Sequence, residues 1–104
     1  MKIQFLYFED CPSHEDGLAR LRKVLEEESV SQEIEIIEVV SEKQAAELKF
    51  IGSPSILING RDIDPGGLER QSPALACRVY RLPDGRFSPL PSESMIRNAL
   101  HRAE

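Results

Sequence analysis

Ile3-Gln4-Phe5-Leu6-Tyr7-Phe8-Glu9-Asp10-Cys11-Pro12-Ser13-His14 sets an apolar run, a sharp break and a helix start in immediate succession. Residues 2–8 are β-branched and aromatic and apolar on both faces, the pattern of a central strand covered from either side. Pro12 suits the first position of a helix, where its missing N–H would be unpaired anyway. Cys11 therefore reads as a thiol at a helix N-terminus, where unpaired N–H groups and the helix dipole favour a thiolate. That points to sulfur chemistry.

Outward from this stretch, Leu18, Leu21, Val24 and Leu25 recur at helical spacing to about Glu28 and give one apolar stripe. Residues 33–40 read as a second strand whose alternation slips between Ile36 and Ile37, so both of its faces are expected to be partly buried. Ser41-Glu42-Lys43-Gln44 has the capping-box pattern and predicts a short helix through Phe50, ended by Gly52. Gly52-Ser53-Pro54-Ser55-Ile56-Leu57-Ile58-Asn59-Gly60 is a proline-led strand running into a strong hairpin-turn signal, with Arg61 to Ile63 as the return. Residues 64–75 read as a loop, Ala76 to Leu82 as a later strand stopped by Pro83-Asp84-Gly85, and Ser92 as the cap of a final helix. Two crossover units place the first two strands parallel, and an antiparallel hairpin follows Pro54.

A chain of 104 residues fits a single domain, 1–104, with one layered core. A formal charge of −5 argues against a nucleic-acid or anionic-membrane surface, which would need a clustered basic face. The loose basic group of Arg78, Arg81 and Arg86 reads as a solvated strand-and-turn surface. The N-terminus lacks the pattern of a signal peptide, and no window approaches the ~18 apolar residues of a membrane span. Two cysteines are too few for a disulfide scaffold, which makes a reducing cytoplasm the default setting.

The order of elements, with Cys11-Pro12 closing the first strand and Ser53-Pro54 opening the third, resembles the thioredoxin-like superfamily, its glutaredoxin-like branch in particular. The resemblance implies a three-layer α/β fold, a mixed sheet of four or five strands with helices on both faces. It implies that Cys11-Pro12 begins a redox motif and that Ser53-Pro54 is a cis-proline turn setting the Ser53 backbone opposite Cys11 to receive a peptide or thiol. Ile58-Asn59-Gly60 followed by Gly66-Gly67 is similar to the strand, turn and glycine pair that line a glutathione site, although two glycines there are also ordinary turn residues. The chain departs from the pattern at His14, where a dithiol motif has its second cysteine, and at Asp10, whose carboxylate opposes ionisation of a neighbouring thiol.

His14 lies one helical turn from Cys11, where it is either a solvent-facing first-turn residue or a hydrogen-bond partner and proton donor for the thiolate. Cys77 has two arrangements open to it. If the loop before it returns past the first strand, Cys77 is a resolving thiol; if Ala76–Leu82 pairs along the whole third strand, it sits on the order of 15 Å away. No cofactor is expected, and Cys-x-x-His with one remote cysteine gives too few ligands for a structural metal.

The first functional reading is thiol–disulfide exchange, with Cys11 attacking, Pro54 positioning the partner, and a thiol- or disulfide-bearing protein or small thiol as that partner. A second is a soft-metal or organomercurial site of Cys11 and Cys77 with Asp10 as acid, since the Cys-Pro-x-His, Gly-Ser-Pro and Cys-Arg-x-Tyr pattern resembles a group of small alkylmercury lyase-like proteins. A third is a non-catalytic module that uses the same scaffold to hold a partner.

Overall fold

Strand β1, Ile3–Tyr7, runs through the middle of the sheet, as its unbroken apolar character requires. A computed structural model describes residues 1–103 of the chain. Successive side chains of a strand point to opposite faces, and β1 uses both. Ile3 and Phe5 enter a core with Leu21, Val24 and Leu25 of α1 (His14–Glu27) and Ile96, Ala99 and Leu100 of the final helix, Glu93–Arg102. Leu6 turns the other way into a smaller core with Val39, Phe50 and Ala45 of α2 (Glu42–Leu48). The result is a three-layer α/β arrangement, helices on both faces of a mixed sheet.

Strand β2 (Ile34–Glu38) pairs parallel with β1, from Ile3 opposite Ile34 to Tyr7 opposite Glu38. Strand β3 (Ser55–Ile58) pairs antiparallel on the other side, and β4 (Arg61–Asp62) closes the order β2-β1-β3-β4. Asn59 and Gly60 both take positive φ, +54° and +79°, as the expected tight hairpin turn demands. The Ser53–Pro54 peptide is cis.

Several expectations are corrected. β2 is an edge strand: Ile34 and Ile37 reach the two cores, so both faces are partly buried as expected, but Ile36, beside Phe5 on the face of α1 and the final helix, stays 45% exposed. The Ser41 hydroxyl accepts from the Gln44 N–H at 3.1 Å, as the capping pattern predicts. Helix α2 nevertheless ends earlier than Gly52, because Lys49 turns left-handed and the Phe50 N–H folds back onto the Ala45 carbonyl at 2.8 Å. The 64–75 stretch is not wholly loop, since Gly67–Arg70 forms one helical turn, α3.

The sheet has four strands, without a fifth from Ala76–Leu82. Only Tyr80–Arg81 (β5) is strand there, paired with Phe87–Ser88 (β6) in a separate hairpin that turns at Gly85, φ +90°. The preceding residues instead run beside the segment that leads into β3. The Ala74 N–H donates to Phe50 O at 3.0 Å, the Ser53 N–H to Ala76 O at 2.8 Å, and the Arg78 N–H to Ser53 O at 2.9 Å. The final helix, α4, starts at Ser92, whose hydroxyl accepts from the Met95 N–H at 3.2 Å. No helix among the described residues is long and apolar enough to cross a membrane.

Candidate functional site

Cys11 follows a turn after β1, in which its N–H donates to Phe8 O at 3.0 Å. Ser13 is the helix cap and His14 the first residue of α1, so Cys11 sits just ahead of the helix rather than in its first turn. Its sulfur is not held by helix N–H groups. The thiol donates to Ser53 O at 3.3 Å, and the residue is fully buried, 0% exposed. Burial corrects the expected role of Cys11 as the thiol that meets a partner, because a sealed sulfur cannot contact a disulfide in solution. Pro12 beside it is exposed.

Helix α1 packs directly on the turn that accepts the Cys11 thiol. A Cβ on Gly17 would stand 2.7 Å from Pro54 Cγ, so the glycine lets the helix close onto the Ser53-Pro54 turn. Ser53 and Pro54 are both buried, and the two hydrogen-bonding groups of the Ser53 backbone are already engaged by Ala76 and Arg78. The turn lies opposite Cys11 as expected, but it does not offer a free edge to an incoming peptide. The chain itself fills that place.

What fills it carries the second thiol. Cys77 forms a parallel bridge with Ser53, the same residue whose carbonyl accepts from Cys11. This is the near arrangement of the two left open by the sequence. Alternation along the extended segment turns Arg78 and Tyr80 inward and leaves Cys77, Val79 and Arg81 outward. Cys77 is therefore the exposed thiol and Cys11 the buried one. The Cys77 pKa is raised, the nearby Cys11 sulfur being the largest cause and partial desolvation the next.

Arg78 is the residue the sequence concealed. Read as part of a solvated basic group, it is 1% exposed, whereas Arg81 and Arg86 do lie at the surface. Its guanidinium makes a two-pronged pair with Asp62, Nη1 to Oδ2 at 2.6 Å and Nη2 to Oδ1 at 2.7 Å, and Nη1 also reaches Ser55 Oγ at 3.2 Å. It lies 4.1 Å above the Tyr80 ring, and Tyr80 donates its hydroxyl to Pro54 O at 2.6 Å. Burial is the main cause raising the Tyr80 pKa. The alternation of Cys77 to Arg81 could have revealed an inward residue at 78, but it does not say that the inward residue has a carboxylate waiting.

The other candidates are placed elsewhere. His14 stacks on Tyr7, ring centroids 4.7 Å apart, and makes no hydrogen bond to either sulfur. Asp10 is exposed on the turn and likewise bonds neither thiol. Gly66 and Gly67 line no opening beside Cys11; a Cβ on Gly67 would stand 2.8 Å from Arg78 Nη2, so this glycine makes room for the buried guanidinium. Among the described residues no three His, Cys, Asp or Glu side chains gather closely enough to enclose a metal ion. The clefts beside α1 and beside the Asn59-Gly60 turn are lined by neither cysteine. Comparisons with protein-family models, with curated proteins and with solved structures give no match.

Proposed function

We propose that this chain is a thioredoxin-like thiol–disulfide exchange protein in which Cys77 meets the partner and Cys11 resolves the mixed disulfide. The observation that carries the reading is the convergence of an exposed and a buried thiol on one residue, Ser53, whose carbonyl accepts from Cys11 and whose backbone bridges Cys77. The fold reading is supported by the central β1 with one parallel and one antiparallel neighbour, and by helices on both faces. The partner is a thiol- or disulfide-bearing protein or a small thiol, and two unpaired cysteines suit the reducing cytoplasm.

Cys77, after losing its proton to solvent, attacks a partner disulfide; the Cys77–partner bond forms and a partner thiolate leaves. Cys11 then gives up its proton and its sulfur attacks Cys77 Sγ, expelling the second partner thiolate. The two protein thiols are oxidised to one disulfide, and the partner disulfide is reduced to two thiols, the two protons released by the protein sulfurs being taken up by the two partner thiolates. Run backwards, the same steps oxidise a partner dithiol.

The test uses folded protein equilibrated in glutathione buffers, acid-quenched and weighed by mass spectrometry. A Cys11–Cys77 disulfide is expected in the native chain, Cys11→Ser is expected to accumulate glutathione on Cys77, and Cys77→Ser is expected to react with neither form. Absence of an internal disulfide at every glutathione ratio, or undiminished reaction of Cys77→Ser, would refute the proposal.

A further inference from the structure

We infer that the buried Asp62–Arg78 pair is a latch that positions Cys77 against Cys11, so that both are positioning residues for the exchange proposed above. The inference rests on that reading and adds a residue set that touches neither sulfur. Arg78 follows Cys77 directly in the chain, and its backbone N–H holds Ser53 O at 2.9 Å. Its side chain is fixed by three separate parts of the fold. Asp62 on β4 grips it with two oxygens, Ser55 on β3 accepts from Nη1, and the Tyr80 ring lies beneath it.

Two glycines make the fit possible. A Cβ on Gly52 would lie 2.6 Å from Arg78 Cα, and one on Gly67 would lie 2.8 Å from Nη2. Cys77 itself, by contrast, is exposed and has a single bridge to the chain beside it. An exposed residue held only by its own backbone would wander; its neighbour in the sequence prevents this. A two-pronged guanidinium–carboxylate contact fixes direction as well as distance. Reaction between two held groups depends steeply on such placement, a displacement of about 1 Å being enough to cost up to ~100-fold in rate.

The latch is tested with Asp62→Asn, which keeps the side-chain shape and removes the charge facing Arg78. In glutathione buffers the effective concentration of Cys77 at Cys11 is expected to fall by about tenfold or more. The pH at which Cys77 is half-alkylated is expected to move down towards that of a free thiol, because the Cys11 sulfur no longer opposes it. A merely structural role would leave that pH profile in place as long as the chain is folded. Ser55→Ala, which removes one partner of Nη1 together with the hydroxyl's own 2.6 Å hydrogen bond to Gly52 O, is expected to lower the effective concentration about two- to fivefold, and its alkylation profile decides the matter if Asp62→Asn does not fold.

Folded variants with the native effective concentration and the native alkylation profile would overturn the latch and leave dithiol exchange standing. A native chain that forms no internal disulfide would overturn the exchange instead, and the alkylation profiles alone would then still decide the latch.

Discussion

Replacing Gly52 with alanine puts a methyl group into the closest approach between two parts of the backbone near the site. The added Cβ would stand 2.6 Å from Arg78 Cα and 2.8 Å from Arg78 N, and Gly52 has φ +128°, where L side chains are strained. Backbone strain of this kind costs about 1–3 kcal/mol, and overpacking against atoms that cannot swing aside costs about 1–3 kcal/mol more. The sum, roughly 2–6 kcal/mol, is a large share of the ~5–15 kcal/mol that holds a typical domain together. Gly60→Ala is the internal control. Gly60 also has positive φ, +79°, but a Cβ there would meet nothing within 4 Å, so only the local cost of about 1–2 kcal/mol applies. Urea unfolding at neutral pH, followed by circular dichroism, reads both losses from the midpoint at constant slope. A Gly52→Ala chain no less stable than Gly60→Ala would refute the packing argument, and with it the claim that the 76–78 segment is pressed against the Ser53 turn.

Two further outcomes follow from the same geometry. Tyr80→Phe leaves the buried Pro54 carbonyl without its donor and is expected to lose about 1–3 kcal/mol at neutral pH. Because burial raises the Tyr80 pKa in the folded state, its contribution is fully present below the ordinary tyrosine value of about 10 and is lost as pH climbs beyond it. The native chain should therefore lose stability in alkaline urea titrations more steeply than Tyr80→Phe does, and parallel curves would contradict this. His14→Ala removes a stacked contact with Tyr7 worth about 0.5–1.5 kcal/mol, yet should leave the rate of exchange with glutathione within about twofold, since the ring touches neither thiol. A larger kinetic loss in a folded His14→Ala chain would return the histidine to the site.

Much of the framework was legible in the sequence because it rests on local chemistry. The two-faced apolar run of β1, the Ser41 and Ser92 caps and the Asn59-Gly60 turn each declare themselves over a few residues. What escaped was decided at long range. Whether Cys77 lies near Cys11 depends on residues 74–78 pairing with 50–53 instead of along the whole of β3, and no periodicity reports which neighbour an extended segment chooses. Arg78 looked like a surface charge because burial of an arginine requires a partner, and Asp62 lies in a different element. Gly66-Gly67 suggests a ligand, whereas Gly67 leaves room for the Ile51 side chain and the Arg78 guanidinium. The burial of Cys11 is long-range as well, its thiol donating to the carbonyl of Ser53 in a distant part of the chain.

The open side of β2 bears on how copies of this protein behave towards one another. Unpaired N–H and C=O groups along an outer strand invite a second chain to add on, the more so when apolar residues such as Ile36 and Val40 remain uncovered. Glu33, Glu35 and Glu38 stand exposed along the same stretch and would face like charges on any copy that approached in register. Ionised carboxylates that contribute little to the core thus oppose the addition of a second copy along this border at neutral pH.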